Sequence, residues 1–332
     1  MASYFVPPIF AAFLWWFSTG AVLLLVGMNG RFGWLRVVVA IGLVVGSLIG
    51  LAASSNDVTP SAAYVSFTCT ILLWGAQEIA FLAGWLTGPR AEPCPANAKG
   101  ARRLGFALQA ILYHELALLI CGGAIVALTW GGSNTVGIWT FAALWTLRQS
   151  AKINLFLGVP VTNDQLMPMP VQFLRTYFAR KSVSVFFPIS VSLACAALVI
   201  MIQRIVEVAA TPFEIVSLTL VSTLFALGVL EHWFMLLPMP AITLWSWGMR
   251  TQKHPEEIKM ERSPDLGDIA AATTTSLALP TPAPTKHRDI NARQRLEDQF
   301  RQRFLEQHPA SGLATAVGLG PETAVTSNGR TS

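Results

Sequence analysis

The chain has 332 residues, 53% of them hydrophobic and only 12% charged, with a mean hydropathy of +0.52. A soluble globular chain carries about a quarter charged residues, so this composition excludes an ordinary soluble domain and points to an all-α integral membrane bundle. The formal charge of +5 belongs to loops and tail and forms no basic stripe, which argues against nucleic acid as a partner.

The first segment, "MASYFVPPIFAAFLWWFSTGAVLLLVGMNGR", lacks a basic lead and is too long for the apolar core of a cleavable signal peptide, so it reads as a first membrane helix. Runs of about 20 mainly apolar residues then predict about seven spans. They lie near residues 6–28, 37–54, 62–87, 104–129, 135–158, 183–205 and 214–237. Stretches such as "SSNDVTP", "TGPRAEPCPANAKGARR" and "WGGSN" punctuate them as loops. Arg31 and Arg36, then Arg90, Lys99, Arg102 and Arg103, then Arg175, Arg180 and Lys181, then Arg250 and Lys253 fall in alternate connections. The bias of Lys and Arg toward cytoplasmic loops therefore predicts an outside N-terminus and a cytoplasmic C-terminus. Cys69, Cys94, Cys121 and Cys195 are scattered, with no C-x-x-C pair, so neither a zinc site nor a disulfide framework is read from them.

Between the fifth and sixth spans, "MPMPVQFLRTYFARK" fits either an interfacial amphipathic helix with Phe173, Leu174, Tyr177 and Phe178 toward lipid, or an ordinary loop. The organisation expected is a polytopic transmembrane domain over 1–250 and a cytoplasmic tail over 251–332. The tail is small, Thr- and Pro-rich and without helical period, which predicts disorder. Within it, residues 287–308 set Leu296, Phe300, Phe304 and Leu305 at the spacing of an amphipathic helix, although a transient solvated helix accounts better for the pattern.

Polar residues recur at similar depth in four of the spans. "WGAQEIAF" carries Gln77 and Glu78, "LYHELALLI" His114 and Glu115, "LWTLRQSAKINLF" Arg148, Lys152 and Asn154, and "LEHWF" Glu231 and His232. Such residues cost a few kcal/mol each in a membrane unless they face the interior and find partners. Four readings follow. The layer is an internal ion-pair network that keeps helices in register. Alternatively, His114 or His232 ligates the central metal of a tetrapyrrole, with carboxylates behind it. A third reading is a carboxylate-rich metal site, against which no E-x-x-H pair occurs. The fourth is a proton or ion path. A retinal protein is excluded, because the last span has no lysine. No Gly-rich phosphate loop, G-x-S-x-G turn or H-E-x-x-H motif is present.

"QEIAFLAGWLTGPR" (77–90), "AILYHELALL" (110–119), "GIWTFAALWTLRQSAKINLFLGVP" (137–160), "LRTYFARKSVSVFFP" (174–188) and "LEHWFMLLPMP" (230–240) resemble the photosynthetic complex assembly protein PuhE family, over about residues 1–250. The matching positions are Glu78, Trp85, Gly88, His114, Glu115, Trp145, Arg148, Ser150, Lys152, Asn154, Gly158, Glu231 and His232. This is a membrane family of phototrophic bacteria, encoded beside the reaction-centre H subunit. The resemblance implies a multi-pass protein of the bacterial inner, photosynthetic intracytoplasmic membrane. It further implies a non-enzymatic role in assembling the reaction centre with its core light-harvesting antenna, with bacteriochlorophyll a candidate ligand at His114 or His232. The alternatives are a membrane-embedded metal-dependent enzyme or regulator of bacteriochlorophyll synthesis, and a small-molecule transporter.

Overall fold

The computed structural model describes residues 2–28, 33–162, 164–237 and 241–249. The predicted tail, with its helix at 287–308, lies outside the described residues. Seven long helices are described: α1 (Ala2–Gly27), α2 (Gly33–Ser54), α3 (Pro60–Leu82), α4 (Gly100–Leu128), α5 (Val136–Leu157), α6 (Phe186–Glu207) and α7 (Pro212–Trp233). Two short ones follow, α8 (Ala241–Leu244) and α9 (Ser246–Met249). Among the described residues there is no β-strand, only an isolated bridge between Val159 and Arg180.

Six of the long helices are long and apolar enough to cross a membrane. The fifth, α5, is as long as α6, but Arg148, Gln149, Lys152 and Asn154 lower its hydropathy. Local chemistry sets several ends. Thr59 caps α3, its hydroxyl accepting from the Ala62 N–H, with Pro60 in the first turn, where a missing N–H costs nothing. Thr211 and Glu214 form a reciprocal capping box ahead of α7. The helix expected over 62–87 stops at Leu82, because Gly84 takes φ +79° and the Trp85 and Leu86 N–H groups both fold back onto the Ala80 carbonyl.

The odd-numbered helices make the interior. α3 and α7 pack on each other, and each also packs on α1 and α5. Successive helices reverse direction, so these four run the same way, while α2, α4 and α6 lie against α3, α5 and α7 respectively. The central apolar cluster joins Ala11, Ala63, Phe67, Ile71, Ala143, Leu220 and Leu224 from all four. At one end Asn134 ties the connections together, donating to the Ser54 and Asp57 carbonyls. At the other, Arg103 donates to the Phe156 and Tyr177 carbonyls and Arg90 to the Tyr177 hydroxyl.

The link between α5 and α6 differs from the lipid-facing alternative. It forms 3-10 turns at Asp164–Leu166 and Met169–Tyr177, and Leu174 and Tyr177 are buried with Phe81, Ala110 and Val171. These side chains face the bundle because α3 ends at Leu82 and leaves apolar surface on α4 for the link to cover. Asp164, buried in the same link, pairs with Arg175 and Arg180.

Candidate functional site

The polar layer sits where α3, α4, α5 and α7 meet. Arg148 leaves α5 on the side opposite Trp139, Ile153 and Leu157, which are exposed, so it points inward. Its Nη2 reaches Glu78 of α3, 3.4 Å from both carboxylate oxygens. Glu78 is nearly enclosed, while 42% of the Arg148 side chain is exposed. One turn on, Lys152 pairs with Glu115 of α4, and Gln149 donates to the second Glu115 oxygen at 2.6 Å. The two cations stand four apart on α5, and that spacing lets one helix neutralise two neighbours.

Among the described residues no cation pairs directly with Glu231. Its Oε1 accepts from the Trp15 indole of α1 at 2.8 Å. The adjacent His232 turns the other way: Nδ1 meets the Gly228 carbonyl at 2.7 Å and Nε2 the Ser150 hydroxyl at 2.9 Å. A carbonyl only accepts, so Nδ1 carries a proton, and in the neutral ring Nε2 is left to accept from Ser150. Asn154, fully buried, donates to the Ser150 carbonyl and the Ser190 hydroxyl.

His114 is 1% exposed, stacks on Phe81 at 4.3 Å between ring centres, and has no hydrogen bond at Nδ1. A wedge, residues 84–90, presses against its helix. The Thr87 carbonyl accepts from the His114 N–H at 3.1 Å, and an added Cβ at Gly88 would run into the Gln109 carbonyl. Gln77 departs from the layer altogether. It faces a groove of about 300 Å³ between α2, α3 and the Trp85–Leu86 turn, and its Oε1 has no hydrogen bond.

The residues singled out by sequence are thus divided among several destinations. Glu78 and Arg148 meet, Glu115 and Lys152 meet, and Glu231 and His232 bind α1 and α5 separately. Gln77 looks outward. Sequence reasoning left Trp15 and Gln149 out of the layer. Gln149 is three residues from Lys152, a spacing that brings side chains together on a helix, whereas nothing local marks Trp15. His232 has both nitrogens engaged, whereas His114, stacked on Phe81, keeps an Nδ1 with no hydrogen bond. The carboxylates of the expected metal site have other partners. Glu78 and Glu115 each face a cation, and among the described residues no three His, Cys, Asp or Glu side chains are placed to hold a metal ion.

The family model described as "Protein of unknown function (DUF3623)" matches residues 1–256. The chain belongs to this family. It is 37% identical over 256 residues, 76% of this chain and 93% of the relative, to a Rhodobacter capsulatus protein titled "Uncharacterized 30.4 kDa protein in puhA 5'region". No solved structure matches. The matched range takes in all of the described helices.

Proposed function

We propose that this multi-pass membrane protein is a non-enzymatic assembly factor for the photosynthetic reaction centre and its core light-harvesting antenna, working in the bacterial inner membrane through helix–helix contact. The Rhodobacter capsulatus relative is named for the puhA 5' region, and the PuhE-like motifs quoted above support the same reading. The observation that carries the reading is the use of the polar layer. Its side chains join α3 to α5, α4 to α5, α1 to α7 and α5 to α7, rather than converging on a reacting group. A layer spent on internal cross-links makes a rigid scaffold whose outer faces are left for other helices. The end bearing Arg36, Arg90, Lys99, Arg102, Arg103, Arg175, Arg180 and Lys181 is then cytoplasmic by the positive-inside bias.

Deletion in a phototrophic host tests the reading. Near-infrared spectra of membranes should show less assembled reaction centre and core antenna, while extracted pigment precursors keep their normal proportions. Accumulation of one biosynthetic intermediate would instead make the protein an enzyme or regulator of the pigment pathway.

A further inference from the structure

Two cations at the basic end of the bundle are gathered rather than dispersed. Arg90 of the wedge lies over the Phe106 ring, 4.5 Å from its centre, and Arg102 of α4 lies over the same ring at 5.6 Å. The seat is fixed from behind. Phe106 packs against the buried cluster that includes Ala110, Leu174 and Tyr177, and Arg90 Nε donates to the Tyr177 hydroxyl at 3.3 Å. Lys99, exposed like Arg102, adds a third charge three residues earlier. A bias of cations toward one side of a membrane orients the chain wherever they stand. It does not account for two guanidiniums brought onto one ring against their mutual repulsion. The acid at hand is Glu92, 3.3 Å from Arg90 and 70% exposed. Among the described residues Lys99 and Arg102 have no ion pair.

The cluster stands at the membrane boundary. α4 has 29 residues, more than the roughly 20 that cross the hydrocarbon, so its basic first turn reaches the headgroup layer. Beyond Phe106, the face of α4 below Arg102 continues through Gln109, Tyr113, Leu116 and Ile120, at steps of three and four residues, and all four are exposed. Cations at the head of a mainly apolar strip are complementary to an amphiphile with an anionic head. Guanidiniums take phosphate oxygens through charge-assisted hydrogen bonds, and acyl chains cover the strip. An acidic protein segment would answer the charges alone.

We infer that Arg90, Lys99 and Arg102 hold the phosphate of an anionic phospholipid, whose acyl chains lie along the face of α4 that carries Tyr113, Leu116 and Ile120. This goes beyond the assembly reading and does not depend on it.

The full chain is reconstituted in nanodiscs of phosphatidylglycerol and phosphatidylcholine with the same acyl chains, and the lipid retained after gentle extraction is counted by native mass spectrometry. Phosphatidylglycerol should be retained in preference to phosphatidylcholine. Each cation near an anionic surface is worth roughly a five-fold change in affinity, so Arg102→Gln should lower that retention roughly five-fold, and Lys99→Gln added to it roughly twenty-five-fold. Arg102 makes no hydrogen bond among the described residues, so its variant keeps the fold. Phe106→Leu, with every charge in place, should lower retention too, because the ring gathers the cations. Lys181→Gln removes a cation of the same end that is not on this ring, and should leave retention unchanged. Equal retention of the two lipids, or retention unchanged in Arg102→Gln, would overturn the inference. So would an equal loss in Lys181→Gln, which would show a diffuse field instead of a site. Displacement of the lipid by inorganic phosphate, but not by chloride at equal ionic strength, would also overturn it, since the anion alone would then be the ligand.

Discussion

Arg148→Ala isolates the central link of the layer. It strands Glu78, 12% of whose side chain is exposed, opposite an emptied position. Two unit charges at the observed 3.4 Å attract by about 5 kcal/mol at an effective dielectric of about 20. With 42% of the Arg148 side chain open, solvent screening reduces the realised effect to about 2 kcal/mol. Unfolding of the purified protein, followed by helical circular dichroism as denaturing detergent is titrated into mild detergent, reads this directly. Glu78→Gln alone should cost a similar amount, since it leaves the guanidinium unpaired. The double variant should be less destabilised than the sum of the singles by at least 1 kcal/mol, because neither charge is then left alone. Strict additivity would refute the pairing, and with it the view that this layer locks α3 to α5.

Glu115→Gln should destabilise more than Glu78→Gln, by about 3 kcal/mol, because its partner Lys152 is only 22% exposed; adding Lys152→Met should recover part of the loss in the same titration. His114→Leu should leave stability within about 1 kcal/mol of the parent and complex levels unchanged, since its Nδ1 has no partner to lose; a collapse of complex levels in a folded variant would restore the ligand reading. His232→Leu should cost about 2–3 kcal/mol, having removed acceptor and donor for Ser150 and Gly228, and Ser150→Ala should recover little of it. Gly88→Ala should lower the yield of folded protein several-fold by size-exclusion chromatography, as the new methyl meets backbone rather than a yielding side chain.

The spans and the existence of a polar layer were legible because the bilayer imposes a long apolar period that few residues violate. The partners inside the layer were not. Adjacent helix residues diverge by about 100°, so "QE", "HE" and "EH" each send their members to different neighbours, and which neighbour depends on packing around the whole bundle. Glu78 goes inward to Arg148 while Gln77 goes out to the groove, and Glu231 goes to α1 while His232 goes to α5. The start of the wedge, residues 84–87, reads as the end of a helix, since "FLAGWLT" is apolar enough to continue one. Only the positive φ of Gly84 and the close approach of Gly88 to α4 turn it aside. Leu174 and Tyr177 carried the signal of an amphipathic segment correctly, but periodicity does not say whether the apolar side meets lipid or protein.

The composition of α5 explains how the interior is built. It is the long helix whose hydropathy falls short of the membrane-spanning range, and it is also the one that touches α3, α4, α6 and α7. Arg148 near mid-helix carries an insertion cost of about 2.5–3.5 kcal/mol on a biological scale, and Lys152, one turn nearer the end, a smaller one. Their partners lie on α3 and α4, both earlier in the chain, so the carboxylates that offset this cost are already present when α5 arrives. The same pairing leaves α5 few choices of rotation. Turning it by one residue would carry both cations toward the face of Trp139, Ile153 and Leu157 and strand two acids in the bundle. Apolar packing alone tolerates such rotations, because lipid and leucine are equivalent neighbours. The charges are therefore best understood as what specifies one arrangement of the inner helices, which is the property a scaffold for other membrane helices needs most.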